Sequence, residues 1–153
     1  MVLDVTTSGP SKLSFWMADR GQSNPVNGSP QPLPRVRTIL VLDDDASVRH
    51  ALVEFMRRAG YDVASGSDGE EGWNALRAGR HDLLITDHDM PRLKGLDLLR
   101  RMRSCRMDMP TILVSGAMPW DEPDMARVLH PGTAMEKPFR LQELLANVRA
   151  LLR

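Results

Sequence analysis

The feature that most constrains this chain is a fivefold alternation between apolar runs and amphipathic stretches, which begins at Thr38. Continuous apolar runs predict strands that are buried on both faces, whereas apolar residues at every third or fourth position predict helices. The predicted strands cover 38–42, 62–65, 82–86, 111–114 and 133–136. The predicted helices cover 47–59, 69–78, 96–103, 124–129 and 141–151. Because short, right-handed crossovers link such elements, the pattern predicts a parallel sheet with helices on both faces.

The N-terminal quarter of the chain does not follow this pattern. Residues 1–37 hold five of the 11 prolines and show no sustained apolar periodicity. They cannot bury enough apolar surface to offset the entropy lost on ordering. The sequence therefore predicts a flexible N-terminal tail over 1–37 and one folded domain over 38–153. A short apolar segment at 13–17 is the part of the tail that could dock on a partner or on the domain.

The composition argues against several classes of protein. The 20 basic and 20 acidic side chains cancel, so no net charge favours nucleic acid or an anionic membrane as a direct partner. The single cysteine, Cys105, cannot form an intrachain disulfide, which fits a reducing compartment. No apolar run reaches the roughly 18 residues of a membrane span, and no signal peptide is recognisable. We therefore expect a cytoplasmic protein.

Charged and hydroxyl side chains follow four of the five predicted strands. Asp43 and Asp44 follow the first strand, Asp87 the third, Ser115 the fourth and Lys137 the fifth. Because parallel α/β sheets bind their ligands beyond the carboxyl ends of the strands, we expect these side chains to converge. Carboxylates are suitable ligands for Mg²⁺. A carboxylate beside this metal can attack phosphorus, while a lysine and a hydroxyl hold the phosphoryl oxygens.

Several residues near these strand ends have simpler structural explanations. Asp45 is a good candidate to cap the helix that follows it, and His88 favours packing over metal binding. Without a cysteine or a second histidine nearby, a zinc site is not expected. Asp43 and Asp44 resist such an explanation, because two carboxylates about 5 Å apart repel by roughly 3 kcal/mol at an effective dielectric constant of about 20.

A group of arginines lies around the end of the third predicted helix. It comprises Arg100, Arg101, Arg103 and Arg106. Cations are favourable at the C-terminus of a helix, so we expect a solvated helix end. A nucleic-acid-binding patch is the less favoured interpretation, because the segment lacks interleaved aromatic residues.

Taken together, four motifs resemble those of response-regulator receiver domains in order and spacing. They are Leu42-Asp43-Asp44-Asp45, Asp87-His88-Asp89-Met90-Pro91 with Gly95, Val114-Ser115-Gly116-Ala117, and Lys137-Pro138-Phe139. The resemblance covers about residues 36–153. It implies a flavodoxin-like, doubly wound α/β fold with a five-stranded parallel sheet in the order 2-1-3-4-5 and helices on both faces.

The resemblance also implies a role for each residue at the strand ends. Asp87 would accept a phosphoryl group from a sensor histidine kinase or a phosphotransfer protein. Ser115 would bind a phosphoryl oxygen, and Lys137, before a cis peptide bond to Pro138, would pair with the phosphate. The implied Mg²⁺ ligands are Asp43, Asp44, Asp87 and the backbone carbonyl of Asp89. The phosphorylated protein would then bind a downstream protein that the sequence does not identify, and a homodimer is compatible with the resemblance.

Three positions depart from the family pattern. Lys94 stands where receivers often have an acidic residue, and Asp89 places a third carboxylate where it affects the lifetime of the phosphoryl group. Ala134 stands where the family usually has an aromatic residue that turns inward on phosphorylation. We therefore expect the signal to run through the loop 116–120, with Trp120 as a candidate readout surface, rather than through the fifth strand.

Because no DNA-binding or catalytic segment follows residue 153, we expect a stand-alone receiver that is not an enzyme beyond its own phosphorylation and dephosphorylation. One alternative is a phosphatase of the haloacid-dehalogenase type, since Asp87-x-Asp89, Ser115 and Lys137 resemble its motifs too. Those enzymes, however, place the acidic pair after the lysine. A second alternative is a pseudo-receiver that binds partners without phosphorylation.

Overall fold

A computed structural model of the chain describes residues 35–153, and these residues form a five-stranded parallel sheet. The strands are β1 (Thr38–Leu42), β2 (Asp62–Gly66), β3 (Leu83–Asp87), β4 (Thr111–Ser115) and β5 (Gly132–Glu136). Their order in the sheet is β2-β1-β3-β4-β5, which confirms the predicted doubly wound topology. The predicted tail up to residue 34, with its apolar segment, lies outside the described residues.

Within residues 35–153, five helices alternate with these strands. They are α1 (Ala46–Arg58), α2 (Gly69–Ala78), α3 (Gly95–Ser104), α4 (Met125–Leu129) and α5 (Leu141–Leu151). Each lies within two residues of its predicted range. Asp45 caps α1 as expected, since its carboxylate accepts hydrogen bonds from the backbone N–H groups of Ser47 and Val48. Asp68 caps α2 in the same way.

The hydrophobic core consists of two layers, one on each face of the sheet. Alternate side chains of a strand point to opposite faces, so β1 contributes to both layers. Leu40 and Leu42 pack with residues of α2, α3 and α4. Ile39 and Val41 pack with residues of α1 and α5. The central strands are buried on both sides, which explains their continuous apolar sequences and fixes the positions at which their polar ends emerge.

Three of the four arginines near the end of α3 do not form the predicted solvated helix end, whereas Arg106 is exposed as expected. Arg100 bonds to Glu122 at 2.7 Å and Asp124 at 2.6 Å, and so links α3 to the segment before α4. Arg103 donates to backbone carbonyls, including that of Val128 at 2.9 Å. The guanidinium of Arg101 lies 4.3 Å from the ring centre of Trp73. These side chains hold elements together, a role that a helical position alone does not reveal.

Residues 35–37 were predicted to belong to the tail, but two of them contact the folded domain. Arg35 and Arg37 form ion pairs with Asp82, whose carboxylate also accepts a hydrogen bond from the backbone N–H of Thr38 at 2.8 Å. These contacts fix the entry into β1. Over residues 35–153, no helix has the length and apolar character needed to cross a membrane.

Candidate functional site

Three aspartates meet at the carboxyl edge of the sheet. Asp87 ends β3, and Asp43 and Asp44 follow the end of β1, which is the neighbouring strand. The parallel register pairs Leu42 with Thr86, so the residues that follow these two positions emerge side by side. The sequence prediction that these aspartates converge is therefore confirmed by the register of β1 and β3.

The distances between these carboxylates fit a small divalent cation. One carboxylate oxygen each from Asp43, Asp44 and Asp87 lies within 4.8 Å of the others. Asp43 and Asp87 are buried, whereas Asp44 is exposed. A set of hard oxygen donors with one side open to water is the arrangement that Mg²⁺ favours, because this ion usually keeps several of its water ligands. The side chains present thus fit a magnesium site.

Lys137 supplies the positive charge at this edge. It follows β5, and its ammonium nitrogen lies 3.2 Å from Asp43 Oδ2 and 3.3 Å from Asp87 Oδ1. Its backbone N–H donates to the carbonyl of Ser115 at 2.9 Å, which ties the segment after β5 to the end of β4. A single ammonium among three carboxylates leaves an excess of negative charge when all are ionised, and this favours a bound cation.

The surroundings of Asp87 change its protonation equilibrium. Burial is the largest cause and raises the pKa of Asp87, and the charges of Asp43 and Asp44 raise it further, although the Lys137 ammonium opposes them. Repulsion between the carboxylates was predictable from the sequence, whereas the larger effect of burial on the pKa of Asp87 was not. Burial alone would lower the pKa of Lys137, yet the charge of Asp87 and the bond to Asp43 leave it above its usual value.

Ser115 reaches this edge, but its hydroxyl is bonded elsewhere. Its oxygen lies 2.8 Å from the carbonyl oxygen of Ala117 and 3.3 Å from Asp89 Oδ2. A hydroxyl has one proton to donate, and the carbonyl of Ala117 is the nearer acceptor. The same hydroxyl oxygen accepts a hydrogen bond from the N–H of Ala117 at 3.1 Å. In this arrangement Ser115 holds the start of the loop after β4.

Gly95 lets α3 begin directly against the backbone of Asp87. A Cβ atom added at Gly95 would lie 2.3 Å from the carbonyl oxygen of Asp87 and 3.0 Å from the Cα of His88. Only a residue without a side chain tolerates this approach. His88 itself is buried, and its Nδ1 lies 3.4 Å from the N–H of Leu96. The prediction that His88 packs in the interior agrees with this position.

Sequence reasoning missed several contacts around the site. Arg49 in α1 donates to the carbonyl of Asp43 at 2.6 Å, which steadies the acidic turn from the side of the helix. Arg92 in the loop after β3 forms an ion pair with Asp68. The indole N–H of Trp120 donates to Glu136 Oε1 at 3.3 Å. The positive φ of Arg92 (65°) and the pairing of Trp120 with Glu136 have no distinctive signature in the sequence.

A doubly wound sheet of order 2-1-3-4-5, with three aspartates and one lysine at its carboxyl edge, defines the receiver class of α/β proteins. The family model of the response regulator receiver domain matches residues 39–149. The chain therefore belongs to the response regulator receiver domains of two-component systems, as the four sequence motifs indicated.

Individual relatives support this assignment. Response regulator MprA of Mycobacterium avium is 38% identical over 115 residues, which cover 75% of this chain and 50% of that protein. The chain thus spans about half the length of the curated relatives that it matches. A receiver protein of Pseudomonas putida is similar at 30% identity and a TM-score of 0.71, over 77% of this chain and 99% of that one.

One similar structure is described as a complex with Mg²⁺-BeF. Response regulator protein TrrA from Thermotoga maritima, in complex with Mg²⁺-BeF, is 28% identical with a TM-score of 0.69. The match covers 76% of this chain and 100% of that one. These similarities show the fold and the family of the present chain.

Proposed function

We propose that Asp87 accepts a phosphoryl group from a sensor histidine kinase or a phosphotransfer protein in a Mg²⁺-dependent reaction, and that this phosphorylation switches the binding of a downstream protein. The observation that carries the proposal is the position of Asp87, which lies among cation-binding carboxylates and 3.3 Å from the ammonium of Lys137. These are the groups that phosphoryl transfer to a carboxylate requires.

The contacts of Asp87 distinguish its two carboxylate oxygens. Oδ1 accepts a hydrogen bond from the N–H of His88 at 3.0 Å and faces Lys137. Among residues 35–153, these contacts leave Oδ2 to attack phosphorus. The bond between phosphorus and the donor's histidine nitrogen then breaks, and the nitrogen keeps the electron pair. Lys137 would neutralise charge on the phosphoryl oxygens, since its ammonium already lies beside the attacking carboxylate.

Asp43 and Asp44, together with Asp87, would hold Mg²⁺, and the backbone carbonyl of Asp89 stays a predicted ligand. When bound, the ion supplies positive charge to the phosphoryl oxygens. Ser115 would complete the phosphoryl site by turning its hydroxyl from Ala117 toward Asp87. This turn is the step by which the chain would register its own phosphorylation.

We propose a signalling module instead of a turnover enzyme. The acidic pair precedes Asp87 in the sequence, contrary to the order in haloacid-dehalogenase-type phosphatases.

The histidine kinases of two-component systems act inside the cell, which supports the predicted cytoplasmic location. Direct binding of nucleic acid is not expected, because the arginines of α3 bond within the domain. Stand-alone action, homodimer formation and the identity of the downstream protein stay predictions.

The test is phosphorylation by acetyl phosphate or a histidine kinase with and without Mg²⁺. We expect a Mg²⁺-dependent phosphoryl group that alkali and hydroxylamine remove from the wild-type protein, as for an acyl phosphate, and its loss in Asp87→Asn. Asp45→Asn is the matched control, because Asp45 caps α1 at the same edge and asparagine can also cap a helix. Labelling that persists in Asp87→Asn would contradict the site. Turnover of phosphate monoesters would favour the phosphatase, and partner binding without any labelling would favour the pseudo-receiver.

A further inference from the structure

The segment between β4 and α4, which comprises residues 116–124, is anchored at both ends. At its start, the hydroxyl of Ser115 lies 2.8 Å from the carbonyl of Ala117. At its end, Glu122 and Asp124 are bound by Arg100 of α3 at 2.7 and 2.6 Å. The ion pairs at the end are charge-assisted and therefore stronger than the neutral bond at the start. A displacement that begins at Ser115 is thus confined to the first part of the segment.

Trp120 lies between these two anchors. Its side chain is 64% exposed, which is unusual for an aromatic residue on a folded domain. Its indole N–H donates to Glu136 Oε1 at 3.3 Å, across the gap between the loop and β5. Because the bond is exposed to water, its loss costs little. It is therefore a weak attachment of the loop to β5.

The same indole forms part of the wall of a groove between α4 and β5. This groove has a volume of about 630 Å³ and is lined by Trp120, Leu129, His130 and Ala134, among other residues. Ala134 is the position at which the family usually has an aromatic side chain, and alanine leaves that space open. Trp120 also borders this groove. It follows Ser115 by only five residues in the sequence.

Both partners in the Trp120–Glu136 bond are close in sequence to groups that would contact a phosphoryl. Trp120 is five residues after Ser115, and Glu136 directly precedes Lys137. If Ser115 turns to the phosphoryl, it loses its bond to Ala117, and residues 116–120 are free to shift. If Lys137 moves toward the phosphoryl oxygens, the backbone at Glu136 moves with it. Each movement acts on the same weak bond.

We propose that Trp120 is a positioning residue that couples phosphorylation of Asp87 to the shape of the groove between α4 and β5. The unphosphorylated protein holds the indole on Glu136. Phosphorylation breaks this bond and moves the indole, which changes the wall of the groove. In this chain, Trp120 on the loop thus links phosphorylation to the groove, because the small side chain of Ala134 on β5 cannot do so. The inference rests on the proposed phosphorylation of Asp87.

The experiment uses the indole N–H signals of the ¹⁵N-labelled protein over residues 1–153. The chain has three tryptophans, Trp16, Trp73 and Trp120, and the Trp120→Phe variant identifies the signal of Trp120. Beryllofluoride with Mg²⁺ serves as the phosphoryl analogue, and ¹⁹F NMR reports independently whether it occupies the site. We expect bound beryllofluoride to shift the Trp120 indole signal and to speed the exchange of the indole proton with water. The signal of Trp73, which is buried beneath Arg101, should change little.

Two variants test the Glu136 bond directly. Glu136→Ala removes the acceptor, so its Trp120 signal without beryllofluoride should already resemble that of the occupied wild-type protein. Asp121→Asn is the matched control, because it changes a neighbouring exposed carboxylate that has no bond to the indole, and it should behave as the wild type.

The outcomes separate this inference from the proposed function. If ¹⁹F NMR shows bound beryllofluoride but the chemical shift of the Trp120 indole does not change, the role of Trp120 is overturned and the phosphoacceptor site stands. Failure of beryllofluoride to bind the wild-type protein would overturn both. A Glu136→Ala spectrum identical to that of the unoccupied wild type would show that the Glu136 bond does not position the indole, and would also overturn the proposal.

Discussion

The ammonium of Lys137 lies 3.3 Å from the carboxylate of Asp87, yet the pKa of that carboxyl group is raised. Burial is the main cause and outweighs the lowering effect of the Lys137 ammonium, while the charges of Asp43 and Asp44 raise the pKa further. Ionisation of Asp87 therefore lowers the free energy of unfolding of the protein. A bound cation or a neutral side chain would relieve this loss of stability.

The first prediction concerns the pH dependence of stability without metal. A carboxyl group whose pKa is raised on folding contributes stability below its unfolded pKa of about 3.8, and this contribution is lost as pH rises through the folded pKa. Asp87→Asn cannot titrate, so we expect its stability relative to the wild type to increase across that range. The raised pKa of Lys137 does not interfere, because its contribution is lost only above pH 10.5.

The measurement is urea denaturation of both proteins in EDTA between pH 4 and 8. We compare the difference between the two free energies of unfolding because other carboxylates change the stability of both proteins with pH in the opposite direction. Hydrogen bonds from Thr38 and the arginines near it outweigh burial and lower the pKa of Asp82. Its stabilising effect is therefore lost as pH falls. A difference between Asp87→Asn and the wild type that stays flat with pH would contradict the prediction.

The second prediction concerns the magnesium site. A ligand that binds only the folded state at 100 times its Kd stabilises a protein by about 2.7 kcal/mol, so millimolar Mg²⁺ should raise the Tm. Asp44→Asn should remove most of this response and should stabilise the metal-free protein, because one of three repelling carboxylates is lost. Thermal melts with and without Mg²⁺ measure both effects. Asp45→Asn should keep the full response, and an equal response in Asp44→Asn would mean that Asp44 is not a ligand.

Most of the fold follows from patterns that short segments carry by themselves. The apolar runs at 38–42 and 111–114 predict central strands because these residues are buried on both faces. The boundary of β3 is one residue later than predicted, since the carboxylate of Asp82 binds the N–H of Thr38 and precedes the strand instead of joining it. The site aspartates were predictable because each stands directly after such a run.

The contacts that the sequence did not reveal are those between distant segments. Arg100 occupies a helical position that favours a cation in any protein, and only the placement of the loop before α4 makes it bind Glu122 and Asp124. The Trp120–Glu136 bond likewise depends on how β4 and β5 pair. Such tertiary contacts leave no periodic signal in the sequence.

The third prediction concerns the close approach of α3 to the phosphoacceptor strand. Gly95→Ala would place a Cβ atom 2.3 Å from the carbonyl oxygen of Asp87, so α3 or β3 must shift. We expect a loss of about 1–3 kcal/mol of stability, as is usual for overpacking, and weaker beryllofluoride binding. Gly116→Ala is the control, because a Cβ atom there has no neighbour within 4 Å. Equal stabilities of the two variants in urea denaturation would contradict this account.

The last prediction concerns Asp89, whose carboxylate lies 3.3 Å from the hydroxyl of Ser115. A phosphoryl group on Asp87 would need that hydroxyl and would face the charge of Asp89. At about 5 Å, and with a dielectric constant between roughly 20 and 80, the repulsion is about 1–3 kcal/mol. Hydrolysis removes the phosphoryl group and relieves this repulsion, and a carboxylate at this position can also orient the attacking water. Both effects shorten the lifetime of the phosphoryl group.

Asp89→Asn removes the charge and keeps the size of the side chain. We expect the half-life of the phosphoryl group to increase by about three- to tenfold, since a tenfold change in rate corresponds to about 1.4 kcal/mol and only part of the repulsion is relieved in the transition state. The measurement is the loss of ³²P from the phosphorylated protein after the donor is removed. Asp45→Asn serves as the control, because its carboxylate caps α1 and accepts no bond from Ser115. A half-life in Asp89→Asn that is equal to or shorter than that of the wild type would show that Asp89 does not limit the lifetime, and the Ser115 contact would then serve only to position the loop after β4.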